Sequence, residues 1–276
     1  MDIETLKQLR NSGQTLVASH RGKTCANIPS NTLNAFEIAL RQGAEIIELD
    51  VTKSIDGKLF VFHPFMDVPH LRNPFPMQLR TARSIKKSRY VNSDLLKTTY
   101  RVATFDEALD LLKGKCVVNI DKFWVNPKKI ADTVRAHKME NQVIIKTYVK
   151  EKDIKAVEEV APDFAYMPMV RKYEEGLIER IRKLGINLFA EELIFRSVDD
   201  YMFSDEHIEL LHKNGVMAWV NTIVYYYRDV ISGGLTDDRA VCGEEDEIWG
   251  RLLEKNVDII QTDWLMELKN YLRSKQ

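Results

Sequence analysis

The chain has 276 residues, of which 45% are hydrophobic and 29% charged, and its net charge is −1. This length fits either two ordinary domains or one α/β barrel. This charge balance suggests no nucleic-acid partner. The N-terminus lacks the apolar core of a signal peptide, and no run is apolar enough to span a bilayer. We therefore expect a cytoplasmic protein without a membrane span, and the composition leaves its oligomeric state open.

The cysteines Cys25, Cys116 and Cys242 are odd in number and far apart along the chain. This spacing argues against a disulfide framework and against a cysteine-based zinc site. We expect reduced thiols, with Cys116 in the core of a strand.

Short apolar runs alternate with helical patterns from one end of the chain to the other, without a Pro/Ser-rich linker. Helical spacing follows start signals in segments 31–41 and 105–113. The predicted strands cover residues 15–20, 44–51, 115–121, 142–146, 163–167, 186–191, 216–221 and 257–262.

Eight strand-then-helix units in about 250 residues are typical of a (β/α)8 TIM barrel. A doubly wound open sheet is the alternative architecture. The prediction is a single barrel domain over residues 1–276. In such a barrel the chemistry lies at the C-terminal ends of the strands.

Polar residues follow the first three predicted strands at those ends. The first strand ends at His20, and Gly22 allows a sharp turn. The second carries Glu48 and Asp50 on one face, because strand side chains alternate in direction. The third ends at Asp121 and Lys122. These residues are expected to converge on one rim of the barrel.

Two carboxylates on one strand face lie about 6.6 Å apart at their Cα atoms, close enough to share a hard cation. Asp121 on the neighbouring strand would add a third ligand. Oxygen ligands favour Mg²⁺ or Ca²⁺ over zinc and leave His20 and the later His63 to transfer protons. A lone Glu-x-Asp is more often solvated or salt-bridged, but the joint arrangement favours one divalent cation.

The second strand is followed by a predicted β-hairpin over residues 53–63, with an Asp56-Gly57 turn, and then by an insertion at about 64–101. That insertion holds eight Lys and Arg against two acids, a local charge of +6. It could attract an anionic substrate, or it could be the solvated face of a helix near residues 82–89. A second insertion, at about 222–243, includes three consecutive tyrosines, and the acids at 244–247 are expected to begin the next helix.

The ordered motifs resemble those of the glycerophosphodiester phosphodiesterase family. The matching residues are His20-Arg21-Gly22, Asn31-Thr32, Ala35-Phe36, Gly43-Ala44, Glu48-Leu49-Asp50-Val51, Asp56-Gly57 and His63, then 104–109, 119–121, 215–221 and 257–263. The resemblance spans nearly the whole chain.

The resemblance implies a barrel enzyme that hydrolyses glycerophosphodiesters to sn-glycerol 3-phosphate and an alcohol. It implies the following roles: Glu48, Asp50 and Asp121 hold a divalent cation, Arg21 binds phosphate, His20 and His63 are the base and the acid, and Trp219 lines the substrate pocket or belongs to the core.

The sequence departs from the family pattern at three motifs. Ser30 stands where a Glu is usual, Pro64 follows His63 in place of an Asp, and the third strand ends Asp121-Lys122 in place of Glu-x-Lys. Alternation turns Lys122 away from the Asp121 face unless the strand has already ended, and Lys146 is an alternative phosphate contact. The remaining alternatives are a related lysophospholipid or sphingolipid phosphodiesterase or lyase that forms a cyclic phosphate, a Schiff-base aldolase that uses Lys146, and a non-catalytic phosphate-binding barrel.

Overall fold

A computed structural model describes residues 1–224 and 231–275. Its centre is a closed barrel of eight parallel strands in the order β1-β11-β10-β9-β8-β7-β6-β2, closed by pairing of β1 with β2. The barrel strands are β1 (Leu16–Ser19), β2 (Ile46–Lys53), β6 (Val117–Asp121), β7 (Val143–Tyr148), β8 (Ala165–Val170), β9 (Ala190–Leu193), β10 (Met217–Asn221) and β11 (Ile259–Thr262). The predicted (β/α)8 TIM barrel is confirmed.

Helices connect the strands and surround the barrel. The α-helices are α1 (Ile3–Asn11), α2 (Leu33–Arg41), α3 (Asp67–Leu71), α4 (Ala82–Ile85), α5 (Phe105–Leu112), α6 (Pro127–Ala136), α7 (Glu151–Val160), α8 (Leu177–Lys183), α9 (Asp205–Lys213), α10 (Asp237–Arg239), α11 (Arg251–Glu254) and α12 (Leu265–Ser274). Between α10 and α11 the chain forms two π-helical stretches, Ala240–Glu244 and Asp246–Gly250. Side-chain caps from Thr32 and Thr104 begin α2 and α5, as the start signals predict.

The core has two layers, which follow from the alternation of side chains along each strand. The outer layer lies between the strands and the helices, and it takes Ile47, Leu49 and Val51 from β2. The inner layer fills the N-terminal end of the barrel and takes Ile46 from the same strand, with helix α1 packed below it. Glu48 and Asp50 continue the inward face above that inner layer.

The predicted hairpin after β2 is confirmed. Strand β3 (Leu59–Val61) pairs with β2 in antiparallel register, and Gly57 takes a positive φ of 81° in the turn. The insertion that follows has its own small core, and it ends in a second hairpin formed by β4 (Arg89–Val91) and β5 (Lys97–Arg101). The expected helix near residues 82–89 is only the four-residue α4, because the chain becomes β4 from Arg89.

Three local predictions need correction. Strand β9 begins at Ala190 and reaches Leu193, later than the predicted 186–191, because the segment before it makes only an isolated bridge at Leu188. Strand β8 continues to Val170, through Pro168. The helix expected to begin with the acids at 244–247 begins earlier, at Asp237.

The three cysteines are free thiols, and Cys116 is buried, as predicted. The tyrosines at 225–227 lie outside the described residues. Within the described part of the chain, none of the helices combines the length and the apolar character needed to cross a bilayer.

Candidate active site

The loop after β1 presents Arg21 and Asn31, both with positive φ (56° and 58°). Gly22 lies between them in the chain with a φ of 74°, and a Cβ there would lie 2.7 Å from the Ala35 carbonyl carbon in α2. Only glycine fits this close approach. This tight turn directs the Arg21 side chain toward strand β2, where its Nε lies 2.8 Å from Asp50 Oδ2.

Glu48, Asp50 and Asp121 meet at the C-terminal end of the barrel. Strands β2 and β6 pair Asp50 directly with Asp121. The three carboxylates are buried, and each offers an oxygen within 4.8 Å of the others. Asp50 Oδ1 is buried without a hydrogen-bond partner. An all-oxygen set of three buried carboxylates, one oxygen of which accepts no hydrogen bond, suits a hard divalent cation.

Asp50 is held by Asn31 and by cationic neighbours. Asn31 Nδ2 donates to its Oδ2 at 2.9 Å, and the Asp50 backbone N–H donates to Asn31 Oδ1 at 3.3 Å. Burial alone would raise the pKa of Asp50, but the charges of Arg21, Lys122 and His63 hold it well below its usual range. Asp50 is therefore ionised at neutral pH.

Glu48 behaves differently from Asp50. Its Oε2 accepts the Arg21 backbone N–H at 3.0 Å. Burial and the neighbouring Asp50 charge raise the pKa of Glu48 to about 7. Two neighbouring acids thus have pKa values pushed in opposite directions, which is common at functional sites.

Lys122 reaches the acids because β6 ends at Asp121. Its backbone adopts the left-handed conformation, with φ 64°, so the strand alternation that would turn it away no longer applies. The ammonium contacts Asp121 Oδ2 and lies 3.4 Å from Asp50 Oδ1. A cationic group thus already lies between these two carboxylates.

Lys146 lies on the other side of Asp121. Its Nζ is 3.8 Å from Asp121 Oδ2 and 3.1 Å from Glu192 Oε2. Asn221 Nδ2 donates to Glu192 Oε1 at 2.6 Å, and the Trp219 indole donates to Asn221 Oδ1 at 3.0 Å. Trp219 is fully buried in the inner core and is connected to the site by this chain of hydrogen bonds.

The two histidines are held by different partners. His20 Nδ1 is 2.8 Å from Asp263 Oδ1, at the end of β11, and this contact leaves Nε2 available. His63 Nδ1 is 2.9 Å from the Pro64 carbonyl oxygen. A carbonyl can only accept, so His63 Nδ1 carries the hydrogen. Burial lowers the pKa of His63, although the Asp50 charge opposes this effect.

A cavity of about 110 Å³ opens at this rim. Most of the residues proposed from the sequence line it, namely His20, Arg21, Glu48, Asp121, Lys122 and Lys146. Sequence reasoning missed several of its polar neighbours. Asn31 and Asp263 stand in the quoted motifs without an assigned role, and Glu192 lies one residue beyond the predicted strand 186–191.

The fold and the site define a (β/α)8-barrel protein with an acidic, histidine-containing centre at the C-terminal rim. The model of the glycerophosphoryl diester phosphodiesterase family matches residues 20–156, and a model of a domain of unknown function matches residues 166–272. Over residues 20–156 the chain belongs to the glycerophosphodiester phosphodiesterase family.

Relatives match across most of the chain. A glycerophosphodiester phosphodiesterase of Caldanaerobacter subterraneus is 29% identical over 224 residues, which cover 76% of this chain and 86% of that protein. One from Bacillus subtilis is 23% identical and covers 75% of this chain and 76% of its own length.

Solved structures show the same fold. A glycerophosphoryl diester phosphodiesterase from Parabacteroides distasonis superposes with a TM-score of 0.80 at 20% identity, over 100% of this chain and 93% of that one. An Oleispira antarctica phosphodiesterase in complex with sn-glycerol-3-phosphate superposes with a TM-score of 0.70 at 14% identity, over 95% and 98% of the two chains.

Proposed function

We propose that this protein hydrolyses glycerophosphodiesters to sn-glycerol 3-phosphate and an alcohol, with one divalent cation, Mg²⁺ or Ca²⁺. The observation that carries the proposal is the buried group of Glu48, Asp50 and Asp121, with donor oxygens within 4.8 Å of one another. Family membership and the names of the relatives support the substrate class.

The three carboxylates would hold the cation, which when bound would neutralise charge on the phosphoryl oxygens. Arg21 and Lys122 are placed to bind the same phosphate, because their cationic groups lie beside Asp50 at the cavity wall. Lys146 is held between Asp121 and Glu192 and supplies a further positive charge. The reaction needs these charges, because the substrate is an anion that gains negative charge on its phosphoryl oxygens.

His20 is the proposed base. Asp263 fixes its Nδ1, so Nε2 can accept the proton of the nucleophile. His63 is the proposed acid that protonates the departing alcohol. A lowered pKa makes the protonated ring a stronger acid but leaves less of it protonated, so the Asp50 charge, which favours the protonated ring, supports this role.

The test is hydrolysis of a panel of glycerophosphodiesters, followed by phosphorus NMR, with Mg²⁺, with Ca²⁺ and after chelation. We expect sn-glycerol 3-phosphate as the product and loss of activity in chelator. His20→Ala should lower kcat by at least about 10²-fold, and Asp50→Asn should abolish the metal response.

Asp132→Asn is the matched control, because this aspartate is an exposed residue of α6 that forms an ion pair with Lys128. It should retain full activity. Full activity of the wild-type protein in chelator, or of His20→Ala, contradicts the mechanism. A cyclic phosphate as the final product identifies a lyase instead.

A further inference from the structure

The insertion between His63 and α5 exposes an unusual amount of apolar surface. Ten large apolar side chains are exposed among the described residues, and six of them lie in residues 64–101. Each of the six is more than half exposed: Phe65, Val68, Phe75, Leu79, Leu95 and Leu96. Leu95 and Leu96 are neighbours at one hairpin tip, and adjacent exposed apolar side chains are typical of an interaction surface.

The same insertion carries its excess positive charge on the surface. Arg80 is buried 3.7 Å from the buried Asp67, so these two charges offset one another. The other seven cations are exposed, against the single exposed acid Asp94. Within residues 1–224 and 231–275, the polar contacts found for these seven are to backbone carbonyls, such as Arg89 to Thr99 and Arg101 to Lys86.

The β4–β5 hairpin concentrates this charge on one face. Its register places Arg89 directly opposite Arg101, and Lys97 projects to the same exposed face. The inward side chains Tyr90 and Tyr100 pack on the small core of the insertion. Like charges directly opposite one another destabilise an antiparallel pair. An anionic partner outside the chain would remove that cost.

The tip of the hairpin is apolar and fixed. Leu95 and Leu96 are 54% and 64% exposed, and Leu95 takes a left-handed φ of 61°, which is unfavourable for leucine. The Asn92 side chain holds this turn by accepting the backbone N–H groups of Asp94 and Leu96. Arg72 at the end of α3 donates to the Leu95 carbonyl, which ties the tip to α3.

The hairpin lies beside the active-site rim. Asn92 donates to Asn27 Oδ1 at 2.7 Å, and Asn27 belongs to the loop that carries Arg21 and Asn31. A surface that binds the hairpin would therefore be close to the entrance of the cavity.

We propose that the insertion docks the protein on an anionic phospholipid bilayer. Leu95 and Leu96 enter the interfacial layer, and Arg89, Lys97 and Arg101 contact lipid phosphates. An apolar tip next to a basic face is the combination that binds peripheral proteins to anionic membranes. Attraction of a small soluble diester would use the cations but would give the two leucines no role. This docking goes beyond the proposed hydrolysis and does not depend on it.

The experiment is co-sedimentation of the full chain with vesicles of phosphatidylcholine alone or mixed equally with phosphatidylglycerol. We expect binding to the mixed vesicles that weakens as salt is added. Leu95→Asn/Leu96→Ser removes the apolar tip, and asparagine tolerates the left-handed backbone. Arg89→Gln/Arg101→Gln removes the opposed charges. Each double variant should weaken vesicle binding by at least about tenfold.

Two matched controls separate the tip from general surface effects. Ile55→Ser removes an exposed apolar side chain outside the insertion, and Lys128→Gln/Lys213→Gln removes two exposed helical cations. Both should bind vesicles as the wild type does. The leucine variant should keep its activity on a soluble glycerophosphodiester, which shows that it is folded.

Three results would overturn the proposal. The first is no binding to the mixed vesicles at low salt, and the second is unchanged binding by the leucine variant. The third is that the wild type is a dimer, the leucine variant is a monomer, and neither protein binds vesicles. That result would assign the apolar tip to contact with a second copy of the chain.

Discussion

The Lys122 ammonium lies between two of the proposed metal ligands. It contacts Asp121 and lies 3.4 Å from Asp50 Oδ1. A divalent ion between these carboxylates must displace or repel it. We expect Lys122→Met to tighten Mg²⁺ binding by about tenfold or more, since a nearby positive charge is removed. The same change should lower kcat/KM, since a proposed phosphate contact is lost.

Titration calorimetry with Mg²⁺ measures this affinity. Lys58→Met is the control, because that lysine pairs with Asp106 away from the site. Unchanged affinity in Lys122→Met would mean that the ammonium does not compete with the ion.

Glu48 makes the metal-free protein sensitive to pH. Burial raises the pKa of Glu48 from its ordinary value of 4.5 to about 7 in the folded protein. Between these two pH values the folded state therefore binds more protons than the unfolded state. The free energy of unfolding therefore falls as pH rises toward about 7. Glu48→Gln should remove this fall and stabilise the metal-free protein by roughly 1–3 kcal/mol at about pH 8.

Urea denaturation of wild type and Glu48→Gln in chelator, at about pH 5 and about pH 8, measures this difference.

Near pH 6, cation binding to the wild type should also release close to one proton from Glu48. Calorimetry in buffers of different ionisation enthalpy detects that proton, and its absence in the wild type would contradict the assignment.

At the scale of elements, the junction of β1 and α2 decides where Arg21 points. Gly22→Ala would place a Cβ 2.7 Å from the Ala35 carbonyl carbon at a φ of 74°. We expect a loss of about 2–5 kcal/mol in the free energy of unfolding, from backbone strain and overpacking together. Activity should fall as well, because the Arg21 backbone N–H also holds Glu48.

Gly13→Ala isolates the strain component. Gly13 has a φ of 89°, but a Cβ added there would meet no atom within 4 Å. Its substitution should cost only about 1–2 kcal/mol. Equal losses in the two variants, read from urea denaturation, would show that the contact with α2 carries no energy.

At the scale of the whole molecule, the barrel closes only through strands from both ends of the sequence. β1 pairs with β2 and with β11, and β7 pairs with β8. Fragments 1–160 and 161–276 would each leave two unpaired strand edges. We expect neither fragment to show a native near-UV circular dichroism spectrum alone, and the full chain to unfold in one transition. Two separate transitions would contradict the single-domain prediction.

Local patterns were sufficient to predict much of the structure. Alternating apolar runs predicted the eight barrel strands, and the Asp56-Gly57 turn predicted the hairpin between β2 and β3. The shared face of Glu48 and Asp50 followed from the two-residue period of a strand. Strand β9 lies later than the apolar pattern predicts, because its two acids, Glu191 and Glu192, do not follow the apolar pattern of a buried strand.

The sequence by itself determined the barrel, the order of its elements and the approach of the acids to one rim, because these depend on periodicity and chain connectivity. Only the tertiary structure decided which side chains meet there. The left-handed backbone of Lys122, the contact of Asp263 with His20 and the contact of Glu192 with Lys146 depend on backbone dihedrals and on strands far apart in the chain. Spacing along a sequence does not encode such distances.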